Sequence, residues 1–265
     1  MKQTIKRIAA IRFILLYKIF MQHFFINPED IRENKVVIKG GDARHISKVL
    51  RMKEGERLLV STGNDWDYLC SIERVEKDCI YLEIKEENND VRELNNRIVL
   101  FQALPKSDKM ELIIQKAVEL GVSEIVPVIT NRVVVRLDAK KTALKLQRWN
   151  TIAKSAAQQS KRKIIPRVAK PLDFKRLLEY TKGFKHKLIP YELEKEQGRL
   201  KGFLEKLLPG EDIAICIGPE GGFEENEIKE AVSEGFTSVM LGRRILRTET
   251  AGLAILSALM LYLDS

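Results

Sequence analysis

Apolar positions change their rhythm near residue 90. Between residues 21 and 90 they come as short β-branched and aromatic runs separated by turn signals, the pattern of half-buried strands. Val36–Lys39 precedes Gly40-Gly41, and Arg57–Ser61 precedes Gly63-Asn64-Asp65. Tyr68–Val75 and Cys79–Lys85 flank a turn at Lys77–Asp78. These runs predict a small barrel or sandwich. One helix is expected over Asp42–Leu50, with Asp42 as N-cap and Ile46, Val49 and Leu50 facing inward. The polar run Glu86–Asn96 reads as a linker.

From Arg97 onward strands alternate with helices. Ile98–Ala103, Glu124–Ile129, Lys187–Pro190, Ile213–Ile217 and Ser238–Leu241 are short apolar strands. Between them, Asp108–Leu120, Thr142–Ser160, Gly198–Leu208 and Glu224–Glu234 read as helices. In Asp108–Leu120, Leu112, Ile113, Lys116 and Leu120 recur at helical spacing, and Gly121 ends the helix. Ala251–Leu263 is apolar on nearly every face, so it needs cover from a core or a second chain. The alternation predicts an α/β domain on a mostly parallel sheet, with its ligand crevice beyond the carboxyl ends of the strands.

Charge refines this division. Residues 1–20 carry five basic residues and no acidic one, with an apolar stretch, Ile8–Leu16, behind the basic start. Arg12 interrupts that stretch, which is too short to span a membrane and is followed by no small-residue cleavage site. Met21 opens the globular pattern, and 1–20 reads as an upstream-start artefact or a dispensable basic arm. Residues 132–176 hold 14 basic residues against Asp138 and Asp173 alone. A block this local reads as a polyanion footprint, or else as a solvated helix face. Cys70, Cys79 and Cys216 fit neither a disulfide framework nor a zinc site, which points to a reducing, cytoplasmic setting. With only His23, His45 and His186 beside them, no metal is expected.

Two strand ends lead into loops with chemical potential. After Ile217 comes Gly218-Pro219-Glu220-Gly221-Gly222-Phe223, which is neither a dinucleotide fingerprint nor a P-loop. Glu224, Glu225 and Glu227 then open a helix, so a phosphate would meet repulsion there. The loop suits a phosphate-free ligand, a cationic one included, unless it is a plain tight turn. After Leu241 comes Gly242-Arg243-Arg244-Ile245-Leu246-Arg247-Thr248-Glu249, with hydroxyls suited to capping the final helix. Its arginines read as a site or as surface ion pairs.

With Leu188-Ile189-Pro190-Tyr191-Glu192, these two loops resemble motifs of the RsmE family, rRNA uridine-N3 methyltransferases of the SPOUT superfamily. Leu104-Pro105-Lys106 through Gln115-Lys116, Glu119-Leu120-Gly121-Val122 and Gln159-Ser160-Lys161-Arg162 with Pro166 also match. His23-Phe24-Phe25 resembles the family's opening, which supports Met21 as the first residue. Gln158 departs from the acidic residue many members have there. The resemblance implies a PUA-like RNA-binding barrel over 21–90 and a SPOUT domain over 97–265 with a C-terminal trefoil knot. It implies S-adenosylmethionine as cofactor, held by Ile189, Pro190 and Tyr191, by Ile217, Gly218, Pro219, Gly221 and Gly222, and by Leu241, Gly242, Ile245, Leu246 and Arg247. Arg247 and Glu249 are the expected catalytic residues, while Lys106, Gln159, Ser160, Lys161, Arg162 and Lys163 are expected on RNA. The expected substrate is a uridine N3 in small-subunit (16S) ribosomal RNA, free or in the assembled 30S subunit, with a homodimer as the working unit and no membrane partner. The alternative is a non-catalytic RNA-binding assembly factor, and a nucleotide-phosphate enzyme is disfavoured by Glu224 and Glu225.

Overall fold

The structure, a computed structural model, describes residues 21–63, 66–88, 92–194, 196 and 198–264. The extension expected over 1–20 lies outside the described residues. The chain divides into two units: the described residues up to Arg92 with Gln158–Ile164, and Glu93–Ala157 with Ile165 onward.

In the first unit, β1 (His23–Phe25), β2 (Ile31–Arg32), β3 (Lys35–Lys39), β4 (Arg57–Ser61), β5 (Asp67–Val75) and β6 (Cys79–Asn88) share one sheet. Its order is β1-β4-β5-β6-β3-β2, antiparallel except where β1 meets β4. Phe24, Val36, Ile38, Leu58, Val60, Ile72 and Leu82 fill its core. The expected helix over Asp42–Leu50 begins earlier and splits. α1 (Gly40–Arg44) runs into a π turn over His45–Val49, where the Leu50 N–H donates to the His45 carbonyl. Asp42 therefore lies in the first turn, not at the N-cap. The widened turn leaves Val49 66% exposed, while Ala43 and Ile46 stay in the core.

A buried polar chain joins distant parts of this unit. The Ser61 hydroxyl donates to the Asp67 carboxylate and accepts from His23 Nε2 at 2.6 Å. Burial, with Lys161 and Arg92 nearby, pushes the His23 imidazole down to about 3, so the ring is neutral at physiological pH. Arg92 pairs with Asp67 at 3.2 Å and donates to the Lys161 carbonyl, while Lys161 Nζ donates to the Met21 carbonyl. These bonds draw Gln158–Ile164 into the first unit, although the sequence reading puts that segment in the second domain.

The second unit follows the expected alternation: β7 (Ile98–Ala103), α2 (Lys109–Glu119), β8 (Glu124–Ile129), α3 (Ala139–Gln159), β9 (Arg167–Val168), β10 (Leu172–Asp173) and α4 (Phe174–Tyr180). Then come β11 (His186–Pro190), α5 (Arg199–Leu204), β12 (Ile213–Ile217), α6 (Glu225–Ser233), β13 (Thr237–Val239) and α7 (Thr248–Leu263). The sheet order is β10-β8-β7-β12-β11-β13, with β9 also on β8, and every pairing is parallel. β7 and β12 are buried at every position, as strands covered on both faces must be. Gly121 ends α2 at φ +91° as expected; of the residues at helical spacing, Ile113 is buried and Leu112 is 46% exposed. Among the described residues no helix is long and apolar enough to cross a membrane.

The amino ends of β7, β8 and β9 are clasped by charge. The Glu124 carboxylate, nearly buried, accepts from Arg167 at 2.8 Å, from Tyr180 at 2.9 Å and from Arg97 at 3.1 Å. Burial alone would raise its pKa, but these hydrogen bonds together outweigh it and hold the carboxyl below its usual range. The clasp therefore stabilises the fold above the ordinary carboxylate range and is lost as the pH falls through the lowered value. Glu124→Gln should lower stability by about 1–2 kcal/mol at neutral pH. Urea denaturation should find this gap closing as the pH falls below the ordinary carboxylate range.

Candidate active site

Parallel pairing of β13 with β11, and of β11 with β12, sets three strand carboxyl ends side by side. The segments leaving them enclose a cavity of about 600 Å³, within the usual range for small-molecule sites. Pro190, Tyr191 and Glu192 come from the first segment, Ile217 to Phe223 from the second, and Met240 to Thr248 from the third. Lys109 and Ala251 complete the wall. Of the residues expected on the cofactor, all line this cavity except Ile189, which is fully buried in β11 and packs in the core.

The glycine loop is shaped by what presses on it. A Cβ on Gly218 would stand 3.0 Å from the buried Phe223 ring. Gly222 has φ +68°, and a Cβ there would stand 2.6 Å from Glu192 Oε1. Gly221 is different: its missing Cβ would face the Arg132 stem at an ordinary 3.6 Å. Arg132 also donates to the Gly221 carbonyl at 2.9 Å. Its neighbour Asn131 donates its N–H to Glu227 at 2.9 Å and its side-chain amide to Glu224 at 2.8 Å. The acids that open α6 are thus committed: Glu227 also caps Glu224 N–H, and Glu225 pairs with Lys229. None of the three lines the cavity, so the expected repulsion of phosphate does not come from them. The cavity's acids are Glu192 and Glu220.

A single hydroxyl locks the loops together. Thr248 Oγ1 donates to the Gly218 carbonyl at 2.6 Å and accepts from Gln102 Nε2 at 2.9 Å. The hydroxyl therefore does not cap α7, whose N-cap is Arg247. Gln102 is fully buried near the end of β7, and its Nε2 also donates to the Ala103 carbonyl. A polar residue inside the apolar run Ile98–Ala103 was the sequence signal for this lock.

Charge in the site is partly spent and partly free. Lys109 Nζ bridges Glu220 at 3.3 Å and Glu249 at 3.2 Å. Burial opposes ionisation of Glu220, but backbone N–H groups, including that of Lys106 at 3.0 Å, and the Lys109 ammonium outweigh it and hold the carboxyl low. Glu249 does not line the cavity; its carboxylate is occupied by Lys109. Arg243, Arg244 and Arg247 are exposed on the cavity wall, and no side-chain hydrogen bond or ion pair holds them among the described residues. Lys106 is also exposed. The other residues expected on RNA lie in the first unit. There Gln159 is exposed and Ser160 and Lys161 are partly buried, but Arg162 and Lys163 are only 5% and 2% exposed. Charges buried to that degree do not present themselves to a solvated polyanion.

A family model described as "RNA methyltransferase domain" matches residues 92–260, and one described as "RNA methyltransferase PUA domain" matches residues 38–85. Ribosomal RNA small subunit methyltransferase E of Bacillus subtilis is 38% identical over 90% of this chain and 96% of its own length. The protein of that name from Mesomycoplasma hyopneumoniae is 37% identical over 89% and 98%. The chain is a member of the RsmE family. A crystal structure of the RsmE relative from Neisseria gonorrhoeae, bound to S-adenosyl methionine, covers 91% of this chain and 97% of its own. Its TM-score is 0.80 at 32% identity. Within this RsmE chain, Lys109, Glu192, Glu220, Met240, Arg243, Arg244 and Thr248 also line the wall, although they were not among the residues expected on the cofactor. Several sit inside the matched motifs, where linear order does not tell which side chains face inward.

Two substitutions separate the roles of adjacent glycines. Gly221→Ala should change stability by less than about 0.5 kcal/mol, whereas Gly222→Ala should cost about 1–3 kcal/mol through strain in its left-handed backbone, φ +68°. Thr248→Val leaves buried Gln102 and the Gly218 carbonyl without their partner and should also cost about 1–3 kcal/mol. Denaturant unfolding of the three variants checks this ordering.

Proposed function

We propose that this chain is an S-adenosylmethionine-dependent methyltransferase that modifies N3 of a uridine in small-subunit ribosomal RNA. The observation that carries the reading is the cavity at three parallel strand ends, edged by arginines that no acid among the described residues neutralises. Its residues fit the cofactor: three loops enclose a cavity of small-molecule size, and Glu192 supplies negative charge without a phosphate cradle. S-adenosylmethionine, when bound, supplies an electrophilic methyl group on a sulfonium. The three loops hold and orient it against the base, which lowers the entropic part of the barrier. Arg247 faces negative charge that develops on the uracil as the N3 proton leaves, and its backbone is fixed because it is the N-cap residue of α7, with its carbonyl accepting from the Thr250 and Ala251 N–H groups. Glu249 acts through Lys109, holding its ammonium together with Glu220. Lys106, Arg243 and Arg244 engage RNA phosphates, a shift of the footprint from Lys161–Lys163 towards the cavity.

Several finer features belong to the same reading. The segment from β12 to α7 threads as a SPOUT trefoil knot, and the first unit is a PUA-like barrel that holds RNA. Two copies pair through the packed helices α2 and α7, where Leu112, Leu261 and Tyr262 remain exposed. The working compartment is the cytoplasm, where the small subunit is assembled.

Transfer of labelled methyl to unmodified small subunits, followed by mapping of the product nucleoside, tests the activity; RNA binding with no transfer would leave an assembly factor. Arg247→Ala should lower the single-turnover rate by on the order of 10²–10³ with cofactor and RNA dissociation constants nearly unchanged. Arg247→Lys should recover part of the loss, since a point charge cannot reproduce a planar fork. Neutralising Arg243 and Arg244 together should flatten the salt dependence of RNA binding by about 1–2 units of slope.

A further inference from the structure

The cavity wall carries two carboxylates in opposite states. Glu220 is saturated by the Lys106 N–H and the Lys109 ammonium. Glu192, just beyond the end of β11, has no hydrogen bond or ion pair among the described residues, although three arginines edge the same cavity. The left-handed backbone of Gly222, at φ +68°, leaves room for Glu192 Oε1 2.6 Å from where a Cβ would be. That backbone is fixed in turn by the Gly222 N–H donating to the Pro219 carbonyl at 3.0 Å and by Arg132 holding the Gly221 carbonyl. A carboxylate kept close to a braced loop, yet left without a cation by the protein, is matched to a cation on the ligand.

Resting on the methyltransferase reading, we infer that Glu192 recognises the positive sulfur of S-adenosylmethionine and so discriminates the cofactor from its spent product. The amino-acid end of both molecules is a zwitterion, so it contributes equally to each. They differ in net charge only at sulfur, a sulfonium before transfer and a neutral thioether after it. When the methyl carbon forms its bond to nitrogen, the carbon–sulfur bond breaks and its electron pair stays on sulfur. The proton from the nitrogen goes to solvent. The attraction to Glu192 disappears with the charge, which favours release of S-adenosylhomocysteine and entry of fresh cofactor. Lys109 supports the selectivity by occupying Glu220, which leaves one uncommitted carboxylate in the cavity.

Calorimetric titration of the full chain with S-adenosylmethionine and, separately, with S-adenosylhomocysteine tests this. Glu192→Gln should weaken S-adenosylmethionine by about tenfold while changing S-adenosylhomocysteine by less than about twofold, as expected for one partly screened charge pair. Glu192→Asp keeps the charge and should retain part of the preference. Glu192 is exposed, so an unaltered thermal midpoint is expected in both variants. Equal weakening of both ligands would make Glu192 a shaping residue of the loop and overturn the inference, as would no change in either. Failure of the parent chain to bind either ligand would overturn the methyltransferase reading itself.

Discussion

The Thr248 hydroxyl can satisfy a carbonyl and an amide only if β7, the glycine loop and the start of α7 meet at one point. Gln102 is fully buried in the sheet, so its Nε2 fixes where Thr248 must lie. Thr248 then fixes Gly218, and the loop that follows inherits its path from that carbonyl. The arginine segment is bound by the same requirement, because it spans the short distance from the end of β13 to this hydroxyl. The cavity is thus a by-product of satisfying buried polar groups whose neglect would cost more than any single wall contact returns.

Strands were readable wherever an apolar run was bounded by turn residues: β4, β7, β8 and β12 match their expected limits. Elements with no room for a period escaped notice, such as the two-residue strands β9 and β10. α4 was missed although Asp173 caps it through Arg176 N–H at 2.8 Å, because seven residues make barely two turns of pattern. The π turn after α1 defeated helical spacing for a different reason: it changes the period itself, and Val49 swings outward.

The site was legible as loops, less so as charges. Counting the 132–176 block treats every basic residue as available. In the fold, Arg132 serves the Gly221 carbonyl, Arg148 pairs with Glu111, Arg167 joins the Glu124 clasp, and Arg162 and Lys163 are buried. Composition records how many charges a segment owns, whereas partners far away in sequence decide how many remain to act.

Lys109 turns that distinction into a property of the site. Glu220 lies on the same cavity wall as three arginines, and Glu249 stands two residues from Arg247. Such acids are natural quenchers: held this close, they act at a high effective concentration and would compete with any incoming polyanion. By bridging both, the lysine takes the two acids out of that competition. One cation committed to two acids keeps three others electrically visible from outside.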